Sequence, residues 1–204
     1  MRVLAIGAHP DDVELGCGGT LAKHVARGDT VTVIVGSDGG KQPGANEVDR
    51  GDEALAATDR LGARLVWLGM ADGGIEQAKE LIEVLDLWMK ALQPDVVYGH
   101  PPNDSHQDHR AMGWATLAAA RNHCRVLHFQ SPTAIDFRPT IYVDISDTMQ
   151  AKLDIVAEHA SQVDSSLRVD LEAYRARAVA HGFEARVGYA EAFETPRFVW
   201  DFDV

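Results

Sequence analysis

MRVLAIGAHPDDVELGCGGT, residues 1–20, decides how the rest of the chain is read. RVLAIG at 2–7 is a short apolar run closed by glycine, the pattern of a strand buried on both faces. At its carboxyl end His9, Asp11, Asp12 and Glu14 crowd into six positions. Like charges this close repel one another and are costly to desolvate, so they persist when solvated or when a cation neutralises them. Metal binding would resolve the repulsion.

Outward from this stretch, β-branched runs alternate with helical patterns. LAKHVARG is followed by TVTVIVG, the helical pattern at 47–62 by RLVWLG, and the stretch from Glu76 to Leu92 by DVVYGH at 95–100. HRAMGWATLAAARN reads as a following helix and RVLHF at 125–129 as a fifth strand. Such alternation predicts an α/β fold, a mostly parallel sheet with helices on both faces. In the pattern at 47–62, Val48, Leu55 and Leu61 fall near helical spacing and Gly62 closes it. Past residue 139, TIYVDIS reads as a strand, and KLDIVAEHASQV and LEAYRARAVAHG as two helices, extending the same domain. A length of 204 residues suits one domain, taken as 1–204.

Charge narrows the partners. With 19 Lys and Arg against 31 Asp and Glu, the net charge of -12 disfavours nucleic acid and anionic membrane surfaces. Runs such as VTVIV are far shorter than the roughly 20 residues that span a bilayer, and the amino terminus has no secretion pattern. Cys17 and Cys124 sit in no metal-spaced cluster, so a reduced, cytoplasmic setting is expected, with Cys17 a small buried hydrophobe.

A second polar cluster, HPPNDSHQDHR at 100–110, packs His100, Asp104, His106, Asp108 and His109 into the loop after the fourth strand. In doubly wound sheets the first and fourth strands lie beside each other where the winding reverses, and ligands bind beyond their carboxyl ends. The two clusters then face each other. Two imidazoles and one carboxylate with open positions suit zinc or a similar ion, beside which a water becomes a nucleophile. A further carboxylate must take the proton of that water, and a histidine fixed by an acid can donate to the developing oxyanion. Asp11, His106 and Asp108 fit those parts. A nucleotide-binding reading fails, because no G-x-G-x-x-G opens the helix and the acids would sit where pyrophosphate belongs.

At these residues the sequence resembles the LmbE-like, or PIG-L, deacetylase family, in AHPDDVE at 8–14 and HQDH at 106–109. It is similar again in Arg50 and Glu53 of the helix ending in LG, in DGG at 72–74, HASQ at 159–162 and YAEAF at 189–193. The resemblance implies a Rossmann-like fold and zinc-dependent removal of an N-acetyl group from an amino-sugar-like substrate, giving acetate and a free amine. It implies His9, Asp12 and His109 as metal ligands, with iron, cobalt or nickel also compatible with that donor set. Asp11 matches the general base, His106 the group that stabilises the oxyanion, and Asp108 its orienting partner, with the proton for the leaving amine coming from His106 or Asp11. Arg50 and Asp72 match positions that contact the sugar. Where some relatives carry a tyrosine, this chain has Asp104, which is expected to bind substrate or cap the helix. Assembly into trimers or hexamers is implied as well. An amidase of thiol-sugar conjugates, or a metal- or sugar-binding protein without catalysis, would carry the same residues.

Overall fold

In the computed structural model, residues 1–40, 50–122, 125–163 and 169–199 are described. Seven strands form one sheet in the order β3-β2-β1-β4-β5-β7-β6. β1 (Arg2–Gly7), β2 (Thr30–Ser37), β3 (Arg64–Met70), β4 (Val96–Gly99) and β5 (Arg125–Phe129) run parallel to one another. β1 lies between β2 and β4, so the winding reverses at β1 and β4, as the strand pattern predicts.

Alternation along these strands builds the two cores. Val3 and Ala5 of β1 and Val31, Val33 and Val35 of β2 pack with Val13 and Leu21 of α1 (Asp12–Ala26) and with Ala57 and Leu61 of α2 (Arg50–Leu61). The intervening Leu4, Ile6 and Ile34 turn to the other face, against Leu81 and Leu85 of α3 (Lys79–Leu92) and Met112 and Ala115 of α4 (Gln107–Ala119). Cys17 is fully buried in the first of these cores. Gly62 ends α2 at φ +78, and the N–H of Ala63 reaches back to the carbonyl of Thr58.

The carboxyl-terminal part differs from the sequence expectation in two ways. β6 (Ile141–Asp144) pairs with a seventh strand, β7 (Ala190–Phe198), which inserts antiparallel between β5 and β6. The expected helix over 152–163 is divided into α5 (Met149–Val156) and α6 (Ala160–Val163), with His159 buried in the break. Glu53 of α2 accepts hydrogen bonds from the main-chain N–H and hydroxyl of Ser161, so α6 docks on α2 instead of continuing α5. α7 (Leu171–Ala185) follows, capped by the Asp170 carboxylate. Val48, Glu47 and Cys124 lie outside the described residues. No helix among the described residues is long and apolar enough to cross a membrane.

Candidate active site

Beyond the carboxyl ends of β1 and β4, the two polar loops meet. Asp12 stands between them. Its Oδ2 accepts the main-chain N–H groups of Ala8 (3.0 Å) and His9 (2.8 Å), which fixes the carboxylate at the strand end. His9 Nδ1 lies 3.4 Å from Asp12 Oδ2, and His109 Nε2 lies 3.4 Å from Asp12 Oδ1.

Taken pair by pair, each separation is one that a single ion spans. Two donors each about 2.1 Å from a tetrahedral divalent metal lie about 3.4 Å apart. The outward nitrogens of both rings are held by carboxylates: Asp108 Oδ2 lies 3.0 Å from His9 Nε2, and Asp104 Oδ2 lies 3.2 Å from His109 Nδ1. A metal-ligating histidine commonly leans on a carboxylate in this way, which fixes its orientation and turns the other nitrogen inward. Three overlapping groups among the described residues could hold a metal ion: His9 with His106 and His109, Asp12 with His100 and His109, and His9 with Asp72 and Asp108. The expected set of His9, Asp12 and His109 is not one of these groups; Asp12 approaches His9 through Oδ2 and His109 through Oδ1.

The carboxylates favour positive charge at this place. Burial disfavours charge on His109, yet the Asp12 and Asp104 carboxylates outweigh it and raise its pKa to about 10. Burial also opposes charge on His9, and again Asp12 prevails and raises it. Asp12 is held well below the usual carboxylate range, because His100 and His109 overcome the effect of its burial.

Asp11 is set apart from this group. It precedes α1 with φ 97, in the left-handed region that few residues other than glycine adopt. Its side chain makes no capping bond to the helix, and its Oδ2 lies 3.3 Å from Arg50 Nη2. Burial, then the neighbouring Asp12 carboxylate, raise its pKa, with Arg50 acting in the opposite direction. Arg50 also donates to the carbonyls of Pro10 (2.5 Å) and Gly39 (3.2 Å), so the guanidinium clamps the loop in which Asp11 sits.

His106 forms the amino-terminal cap of α4, its Nδ1 accepting the main-chain N–H of Asp108 at 3.2 Å. Accepting there leaves the ring proton on Nε2. Burial and the adjacent His109 lower its pKa, favouring the neutral ring. Its ring stacks on that of His109 with centroids 4.4 Å apart and meets His9 at 4.8 Å.

All nine expected site residues therefore gather at one sheet end, though two are placed differently from the roles the sequence suggests. Asp108 touches His106 through its main chain; its carboxylate accepts from Gly73 N (2.7 Å) and Ile75 N (3.2 Å) and braces His9. Asp104, only 1% exposed, offers no open carboxylate to a substrate. Its oxygens are taken by the His106 N–H, His109 Nδ1 and the Ser131 hydroxyl, which hold its pKa low despite burial. Asp72 keeps a side-chain exposure of 24% while reaching His9 Nε2 at 3.1 Å. His100, visible in the sequence cluster but given no part, is fully buried, with Nε2 3.0 Å from Asp12 and its ring stacked on His109 at 4.1 Å.

Residues 4–120 match the PIG-L family, described as GlcNAc-PI de-N-acetylase. The chain is 32% identical over 168 residues to the uncharacterized deacetylase YaiS of Escherichia coli, covering 78% of this chain and 90% of that protein. It is 27% identical over 224 residues to diacetylchitobiose deacetylase of Thermococcus kodakarensis, covering 97% and 83%. The crystal structure of the conserved protein TT1542 from Thermus thermophilus superposes with a TM-score of 0.88 at 28% identity, covering 98% of this chain and 97% of that one.

Proposed function

The chain belongs to the PIG-L family, and we propose that it is a metal-dependent hydrolase that removes an N-acetyl group from a small amino-sugar substrate, releasing acetate and a free amine. One observation carries this reading. Asp12 lies between inward nitrogens of His9 and His109 whose outer nitrogens are braced by carboxylates, and beside it stands Asp11, a carboxylate with raised affinity for a proton. A binding protein has no need of that spare base.

A divalent ion held by His9, Asp12 and His109, with zinc the first choice, would polarise the acyl carbonyl and lower the pKa of a water. The protein's own groups do the rest. Asp11 accepts the proton of the attacking water at its carboxylate, and its raised pKa makes it a stronger base than an ordinary aspartate. His106 presents Nε2–H to the oxygen on which negative charge develops, since its Nδ1 is occupied by the Asp108 N–H. Asp11 returns its proton to the departing amine. Asp108 and Asp104 orient His9 and His109. Arg50 holds the Asp11 loop, and Asp72, the more open of the two, meets a sugar hydroxyl.

Relatives named as deacetylases of diacetylchitobiose and of an acetamido-glucopyranosyl inositol point to the substrate class. The test is acetate release from N-acetylglucosamine and diacetylchitobiose by the purified protein, before and after chelation and after zinc is restored. Release that chelation abolishes and zinc restores is the expected result. Release that persists unchanged in chelator would sink the metal-dependent reading.

A further inference from the structure

α1 is two helices joined across Cys17, whose φ of -145 and ψ of 18 are not helical. In an unbroken helix the N–H of Gly19 would bond the carbonyl of Leu15. Here each of those two groups meets one half of an ion pair. Lys152 Nζ donates to the Leu15 carbonyl at 2.8 Å, Glu191 accepts Gly19 N at 3.0 Å and Thr20 N at 2.7 Å, and Lys152 and Glu191 lie 2.5 Å apart. Both side chains are buried, exposed by 4% and 3%. The path from Leu15 to Gly19 therefore runs through a charge pair contributed by α5 and β7. Groups inserted into the helical ladder are an identified cause of sharp kinks.

The kink has a direction that matters for the site. It separates the first turn, bearing Asp12 and Glu14, from the body of α1. Gly16 in that turn lies so close to Phe129 that a Cβ would stand 2.3 Å from the ring. Phe129 packs edge-on against His100 with centroids 4.9 Å apart, and His100 contacts Asp12. The turn is thus pressed onto β5 and the histidine layer, and the inserted pair lets the rest of α1 leave at another angle. Thr148 on the same side donates to the Gly19 carbonyl at 2.9 Å, fixing the start of the second half.

We infer that Lys152 and Glu191 are positioning residues for the reaction: by holding α1 open at Cys17 they set the placement of Asp11 and Asp12 against His109. The inference rests on the metal-site reading above. A buried pair whose role is only structural behaves differently from one that positions. Removing one partner strands a charge and destabilises the protein, whereas replacing both by apolar residues of similar size is often neutral or stabilising. The Lys152→Met/Glu191→Leu double variant therefore separates the two roles, since α1 can then close its own Gly19-to-Leu15 bond and straighten.

The experiment measures thermal stability, zinc affinity by competition with a chromophoric chelator, and kcat and KM for acetate release, in wild type and double variant together. The expected result is near-wild-type stability with zinc affinity and kcat each reduced on the order of tenfold to 100-fold, the range for lost supports of a metal site, and KM little changed. A double variant that is stable and matches the wild type in zinc affinity and turnover overturns the inference. If the double variant does not fold, Glu191→Asp keeps the charge but shortens its reach to Gly19 and Thr20. Weakened zinc binding in that folded variant supports positioning, and unchanged binding overturns it. A wild type with no saturable zinc site instead removes the site reading, and this inference falls with it, an outcome distinct from wild-type binding that the variants leave intact.

Discussion

The two loops that meet at the site are held over different ranges of the chain. The segment after β4 combines bonds among its own residues, Asp104 accepting the His106 N–H and holding His109 five positions on, with bonds to residues 131–135 and 73–75, among them Ser131 on Asp104, Ser105 on Thr133, and Gly73 and Ile75 on Asp108. The turn after β1 is braced from afar, by Arg50 on Pro10, Lys152 on Leu15 and Glu191 on Gly19, partners 40, 137 and 172 positions away. The named partners of the first half lie within about 35 positions of it, and those of the second reach to the carboxyl-terminal strand. The base and the carboxylate that joins both histidines lie in the second half, and both are sensitive to anything that moves the far side of the sheet.

The comparison can be broken where its effect is largest. Asp11→Asn keeps a residue type that tolerates positive φ but abolishes the base, so turnover should fall by about 10²–10⁴-fold while zinc still binds. Steady-state kinetics beside a zinc titration checks this; loss of zinc with activity per bound ion preserved would exchange the roles of Asp11 and a ligand. Next in size, Asp104→Asn strikes the first half and should weaken zinc binding roughly 10–100-fold by freeing His109 Nδ1. Unaltered affinity would show that the local brace is dispensable.

A smaller effect is expected at Gly16→Ala. The added methyl meets the Phe129 ring, and overpacking of this kind costs about 1–3 kcal/mol. Urea unfolding reads that cost, and zinc affinity should weaken with it because Phe129 supports His100. Smallest is Asp170→Ala at the start of α7, which removes a helix cap for about 0.5–2 kcal/mol and should leave zinc affinity unchanged. A change in affinity there would mean that the second half depends on helix stability in general and not on the particular groups that touch it.

The same contrast explains what was legible in the sequence. The parallel strands β1 to β5 and both polar loops declare themselves because hydrophobic runs and clustered His and Asp are local patterns. Their meeting follows from the strand order at the switch point. β7 escapes notice: AEAFETPRF contains a proline and little β-branching, and its place between β5 and β6 is fixed by pairing, not propensity. The break between α5 and α6 depends on Glu53 reaching Ser161, a tertiary event. Asp104 is read from sequence as a substrate contact because nothing local reveals that Ser131 and His109 enclose it. Glu191 lies within YAEAF at 189–193, but nothing in that pattern pairs it with Lys152, 39 positions away on a helix. Their signature is the broken geometry at Cys17.

The insertion of β7 also orders events during synthesis. Among the described residues β6 pairs in the sheet with β7 alone, and the ion-pair partner of Lys152 lies on β7. A ribosome that has released everything through α7 has delivered every proposed ligand, yet the nascent chain still holds an unpaired ammonium beside the α1 break and an unzipped sheet edge. The site's geometry thus depends on a strand made after every proposed ligand.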